Sequence, residues 1–213
     1  MNGLLFITHQ TERYSYLDSV GIALKGGCRQ IQLRMKDLSV HEAIKIAEKA
    51  KALCDQYNAQ LYIDDHVEIC RQVKAAGVHL GKMDMPPSEA RILLGNDFII
   101  GGTANTFDDI HHLHSEGVDY IGLGPFRFTE TKKNLSPVLG REGYSEIMDW
   151  CRDNHICLPV LAIGGITIED IPAILQTGVS GIALSSTILN ADNPVEEPEK
   201  IIGMIRLSAM AHN

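Results

Sequence analysis

Eight times along this chain a short apolar run with strand character is followed by a stretch with helical spacing, and no other feature narrows the possible folds as much. The strand-like runs cover residues 4–8, 30–35, 60–63, 77–80, 98–101, 119–123, 158–163 and 181–184. Helical patterns fill residues 14–25, 39–57, 67–75, 86–94, 107–115, 144–154, 168–176 and 198–210. Local signals agree with this division. Gly26-Gly27 stops the first helix, Ser39 and Glu42 have the spacing of a capping box, and Pro86-Pro87 stand at the end of a helix where proline is tolerated. Alternating strand and helix units imply a parallel sheet, and eight of them predict closure into a (β/α)8 TIM barrel. An open, doubly wound sheet is the alternative, but no G-x-G-x-x-G follows the first strand. No linker or shift in composition divides the chain, so a single barrel domain over residues 1–213 is expected.

If the barrel is right, its active site lies at the carboxyl ends of the strands. That is where the unusual polar residues fall. Gln32, Arg34 and Lys36 alternate along the second strand, with Lys36 at its tip, and Asp64 and Asp65 end the third. Asp84 follows the fourth strand, and Thr103 and Asn105 follow the fifth. Thr129, Thr131 and Lys132 follow the sixth, Gly164-Gly165 the seventh and Ser185-Ser186 the eighth. Each has a structural explanation when taken singly. Asp64-Asp65 could cap a helix, Asp84 could serve a turn, Thr167 and Asp170 could form a capping box, and His79 reads as a packed core histidine. Caps and turns have no reason to gather one chemistry at one end of a barrel, and the joint placement favours a site.

That chemistry has two halves. Asp65 and Asp84 offer hard carboxylate oxygens suited to Mg²⁺, and Arg34, Lys36 and Lys132 offer charge-assisted contacts to phosphate. The glycine turn at 164–165 and the Ser185-Ser186 pair stand where this fold commonly binds a second phosphate through backbone N–H groups. The formal net charge of −8 argues against a general nucleic-acid or membrane-surface binder, so any anionic ligand must be held by a local cluster of Lys and Arg. Five scattered cysteines with no C-x-x-C pair point to reduced thiols, and no secretory signal is evident, so a cytoplasmic protein is expected. A homo-oligomer is compatible with the sequence but not specified by it.

The segments QLRMK (32–36), the Asp64-Asp65 pair, VHLGKMD (78–84), GPFRFTETKK (124–133), AIGGI (162–166) and Ser185-Ser186 together resemble the motif set of thiamine phosphate synthases, in the right order over nearly the whole chain. The resemblance implies an enzyme that joins hydroxymethylpyrimidine diphosphate to a thiazole phosphate, giving thiamine phosphate and pyrophosphate. It implies pyrimidine diphosphate contacts from Gln32, Arg34, Lys36, Asp64, Thr103 and Lys132, with Mg²⁺ on Asp65 and Asp84. It also implies a thiazole phosphate site of Thr129, Thr131, Gly165, Ser185 and Ser186. Arg34, Lys36 and Lys132 would stabilise the leaving pyrophosphate in a dissociative, Mg²⁺-assisted reaction.

This chain departs from the usual motifs at several positions. Asp64 stands where asparagine is usual, Lys82 where glutamine is, Thr103 for serine and Asn105 for histidine, and Phe126 and Phe128 replace smaller residues or proline. The alternatives are a thiazole tautomerase on the same scaffold, which would carry a histidine in the sixth loop where this chain has none, and a non-catalytic thiamine-precursor binding or regulatory protein. An unrelated phosphosugar isomerase barrel would need a clear general base, which the sequence does not offer.

Overall fold

The computed structural model describes residues 2–128 and 137–211. In chain order the elements are β1 (Gly3–Ile7), α1 (Tyr16–Lys25), β2 (Gln30–Leu33), α2 (Val40–Gln56), β3 (Gln60–Asp64), α3 (Val67–Val73), β4 (Gly77–Leu80) and α4 (Pro87–Leu94). They continue as β5 (Ile99–Ala104), α5 (Phe107–Ser115), β6 (Tyr120–Leu123), α6 (Gly140–Asp153), β7 (Val160–Ile163), α7 (Ile171–Leu175), β8 (Gly181–Leu184), α8 (Ser186–Leu189) and α9 (Glu197–Ala211). The strands pair in parallel in the order β1-β2-β3-β4-β5-β6-β7-β8, and β8 returns to β1 with Leu4 opposite Ile182, closing the barrel.

The caps explain where the helices begin. Ser15, Ser39 and Thr106 each accept from the amide three residues on, and the acidic residue there returns the bond to the cap's own amide. The Ser15 box starts α1 at Tyr16 and not at residue 14. The expected helix at 168–176 is two pieces, a 3-10 turn over Ile168–Asp170 and then α7, with Pro172 in the first turn of α7 where its missing N–H costs least. Among the described residues, no helix is long and apolar enough to cross a membrane.

Two apolar layers follow from the alternation of side chains along the strands. The larger lies between sheet and helices, where the one face of each strand meets residues such as Ala43, Ala47 and Ala50 of α2. The smaller fills the barrel itself with Leu5, Ile7, Tyr62, Tyr120, Leu161 and Ala183. Tyr120 is fully buried there, its ring set edge-on to Tyr62 at 6.1 Å between centroids. Glycine on the neighbouring strand makes that ring possible, because a Cβ at Gly101 would lie 2.1 Å from Tyr120 Cζ. Gly101→Ala is therefore expected to destabilise the barrel by about 1–3 kcal/mol through overpacking, read as a lower urea midpoint with an unchanged slope; an unaltered midpoint would show that Tyr120 has room to move.

Candidate active site

The first half of the mouth is built by β2, β3 and β4. Gln32 is the only one of its three alternating residues inside a strand; Arg34 and Lys36 lie beyond the end of β2. All three still converge on the acidic pair that ends β3. Gln32 Nε2 donates to Asp64 Oδ1 at 2.5 Å, and Arg34 Nε stands 3.7 Å from Asp64 Oδ2. Lys36 Nζ donates to Asp65 Oδ2 at 2.5 Å. Thr8 fixes the strand end, since its hydroxyl accepts from the Arg34 amide at 2.9 Å and donates to the Arg34 carbonyl at 3.2 Å.

Neither aspartate caps a helix. The residue at the start of α3 is His66, whose side chain makes no capping bond. Asp65 instead has a left-handed backbone, φ 66°, a conformation that aspartate tolerates better than most residues but still at some cost. Its amide donates to the His79 carbonyl at 2.8 Å. Asp84 is in part the turn residue that the sequence allows, accepting from the Gly81 amide at 2.6 Å. Its carboxyl group also touches that of Asp65.

The electrostatics of this half follow from burial and crowding. Burial, and then the neighbouring Asp65 charge, push the Asp64 carboxyl up against the lowering pull of Lys36, Arg34 and Gln32. At Asp65 burial opposes ionisation, but the bonds with Lys36 and Asp84 hold the carboxyl below its ordinary range. Asp84 is raised by burial against the bond from Gly81, and raised further by its contact with Asp65. Among the described residues, Lys36 is the lysine paired with this acidic pair, through Asp65.

Thr103 lies within β5 and not after it. Its hydroxyl meets His79 Nε2 at 2.9 Å, and His79 Nδ1 meets the Tyr120 hydroxyl at 3.0 Å. His79 is thus the buried core residue the sequence suggests, and it also links the barrel interior to a residue at the mouth. A Cβ at Gly122 would come within 3.0 Å of its ring, so this glycine leaves the imidazole its place. Asn105 is buried and donates through Nδ2 to the Gly124 carbonyl, joining the fifth loop to the sixth. Lys82 pairs with Asp109 at 2.7 Å, within the capping box of α5.

The second half is built by β6, β7 and β8. Gly164 and Gly165 both have positive φ, 95° and 67°, which is the reason for two glycines here. A Cβ at Gly165 would lie 3.0 Å from the Arg127 carbonyl oxygen, so the turn is backed closely by the start of the sixth loop. Phe126 is buried against Tyr144, 6.0 Å between ring centroids, and Phe128 is exposed. Ser185 and Ser186 line a cavity of about 170 Å³ together with His9, Thr11, Leu189 and Asn190. Thr129, Thr131 and Lys132 lie outside the described residues.

Several residues of the mouth escaped the sequence reading. His9 and Thr11 of the first loop, the Asn105 tie, the partner of Lys82 and the contacts of Arg127 depend on which loops the closed barrel makes neighbours. The nearest signals were indirect: the polar residues of the first loop, and the glycines at 101 and 122, whose missing side chains leave space for Tyr120 and His79.

The family model described as thiamine monophosphate synthase matches residues 4–188. A thiamine-phosphate synthase of Bacteroides thetaiotaomicron is 58% identical over 207 residues, covering 97% of this chain and 99% of that protein. One of Flavobacterium johnsoniae is 46% identical, with 90% of each chain covered. Among solved structures, the thiamine phosphate pyrophosphorylase of Pyrococcus furiosus superposes with a TM-score of 0.84 at 30% identity, covering 97% of this chain and 96% of that one. With a family model matched over residues 4–188 and a relative 58% identical over nearly the whole chain, this chain belongs to the thiamine monophosphate synthase family.

Proposed function

We propose that this protein is a thiamine phosphate synthase that joins hydroxymethylpyrimidine diphosphate to a thiazole phosphate and releases pyrophosphate. Membership of the family supports the reaction, and one observation carries the assignment of sites. The two sides of one barrel mouth are equipped for different anions. On the β2–β4 side stand an acidic pair and its cations; on the β7–β8 side stand an uncharged glycine turn and two serines.

The donor set fits Mg²⁺. Asp65 and Asp84 supply hard oxygens in contact with one another, and their charge is only partly met by Lys36. An ion of this kind takes one or two protein carboxylates and completes its shell with water and phosphate oxygens. Bound there, Mg²⁺ would neutralise charge growing on the departing pyrophosphate.

The chain's own residues divide the remaining work. Arg34 and Lys36 bind diphosphate oxygens, and Lys132 is assigned to the same task. Such contacts strengthen as the C–O bond of the pyrimidine methylene breaks and the electron pair leaves with pyrophosphate, so they lower the barrier selectively. The thiazole nitrogen then supplies its lone pair to the methylene carbon. No proton moves in either step, so no general base is required.

Gln32 donates to Asp64 and so orients its carboxyl group at the pyrimidine, where asparagine is more usual. Thr103, held by His79, faces the same substrate. Thr129, Thr131, Gly165, Ser185 and Ser186 hold the thiazole phosphate and so orient the nucleophile.

Incubation with both substrates should give thiamine phosphate and pyrophosphate only when Mg²⁺ is present. No product under any metal condition would contradict the proposal, and isomerisation of the thiazole phosphate would assign the chain to the tautomerases instead. Asp84→Ala should lower turnover at least about a hundredfold, as expected when charge stabilisation of a leaving group is lost, while thiazole phosphate still binds. Loss of both, with a collapsed circular dichroism spectrum, would make Asp84 a structural residue.

A further inference from the structure

Arg127 stands two residues before the first threonine of T-x-T-K and has no role in the reaction as described above. It nevertheless takes two consecutive carbonyls of the glycine turn on the neighbouring loop. Its backbone amide donates to the Gly164 carbonyl at 3.0 Å, and its guanidinium Nη1 donates to the Gly165 carbonyl at 2.7 Å. The same guanidinium makes a two-pronged pair with Asp170, Nη1 to Oδ2 at 2.8 Å and Nη2 to Oδ1 at 3.0 Å. Asp170 is held in turn by the Thr167 amide at 2.8 Å and the Thr167 hydroxyl at 2.9 Å. The next carbonyl, of Ile166, accepts from the Thr187 hydroxyl at 2.6 Å.

These bonds decide where the amides of the turn point. Both peptides after Gly164 and Gly165 are trans, and in a trans peptide the N–H is opposed to the carbonyl. With the Gly164 and Gly165 carbonyls turned to Arg127, the N–H groups of Gly165 and Ile166 are both directed away from it. Neither amide donates to another described residue. Two adjacent amides on one side of a turn are an anion-binding arrangement.

We infer that Arg127 and Asp170 form a positioning pair that presents the Gly165 and Ile166 amides to the phosphate of the thiazole substrate. The inference rests on the thiazole phosphate site proposed above. Arg127 is itself a positioning residue and touches no substrate. A lysine would not replace it, because one ammonium cannot hold a carbonyl and both oxygens of a carboxylate in the same planar geometry.

The test is calorimetric titration of thiazole phosphate, paired with KM values for both substrates, on the unmodified protein, Arg127→Gln, Arg127→Lys, Asp170→Asn and the Arg127→Gln/Asp170→Asn double variant. Arg127→Gln should weaken thiazole phosphate binding about tenfold, in keeping with loss of one charge-assisted hydrogen bond, with KM for the pyrimidine diphosphate unchanged. Arg127→Lys should recover little of this, and the double variant should bind no more weakly than the weaker single one, since the pair acts as a unit. Unchanged binding in Arg127→Gln would overturn the inference. Equal weakening for both substrates with a lower melting temperature would also overturn it, by making the pair a stabilising contact only. If the unmodified protein binds no thiazole phosphate, the proposed function fails, and the same comparison with inorganic phosphate then decides the pairing.

Discussion

A closed parallel barrel delivers eight loops to one rim, and a rim of independent loops could not hold substrate groups in place. The constraint on which this structure depends is that neighbouring loops are tied in succession. Thr8 joins the first to the second, Gln32 and Lys36 join the second to the third, and the contact of Asp65 with Asp84 joins the third to the fourth. Lys82 with Asp109, Asn105 with Gly124, Arg127 with Gly165, and Thr187 with Ile166 carry the series through the fourth to the eighth. Between the last loop and the first lies the cavity lined by Ser185, Ser186, His9 and Thr11. Each tie is individually small, but fixing the ends of eight loops removes conformational freedom that binding would otherwise have to remove.

The ties differ in kind on the two sides of the mouth. From β2 to β4 they are ionic and partly buried, where a charge left without its partner is costly. From β6 to β8 they are made largely to backbone carbonyls. In a protein with a net charge of −8, Arg34 and Lys36 bring positive charge to this rim.

Much of this was legible in the sequence because it is local or periodic. Capping boxes at Ser39 and Thr167, the glycines at 164 and 165, and the alternation of strand and helix each depend on residues a few positions apart. The joint fall of polar residues at strand ends located the rim. What stayed hidden is pairwise and distant in the chain. Lys82 meets Asp109, Asn105 meets Gly124 and Arg127 meets Asp170 only because the closed barrel makes successive loops neighbours. Element ends also shifted where tertiary pairing won over local pattern: β5 runs on to Ala104 in register with Leu123 of β6, which draws Thr103 into the sheet and against His79. Phe126 and Phe128 look alike in sequence, yet one is core and the other is exposed, because the first turns to Tyr144 and the second does not.

On the proposed function the rim holds two anion sites of different chemistry, an acidic pair that needs a divalent cation and an amide turn that does not. Calorimetric titration of each substrate separately, with and without Mg²⁺, tests it directly. Mg²⁺ is expected to strengthen binding of the pyrimidine diphosphate at least about tenfold, or about 1.4 kcal/mol, and to leave thiazole phosphate binding unchanged. Equal dependence of both substrates on Mg²⁺, or of neither, would contradict it.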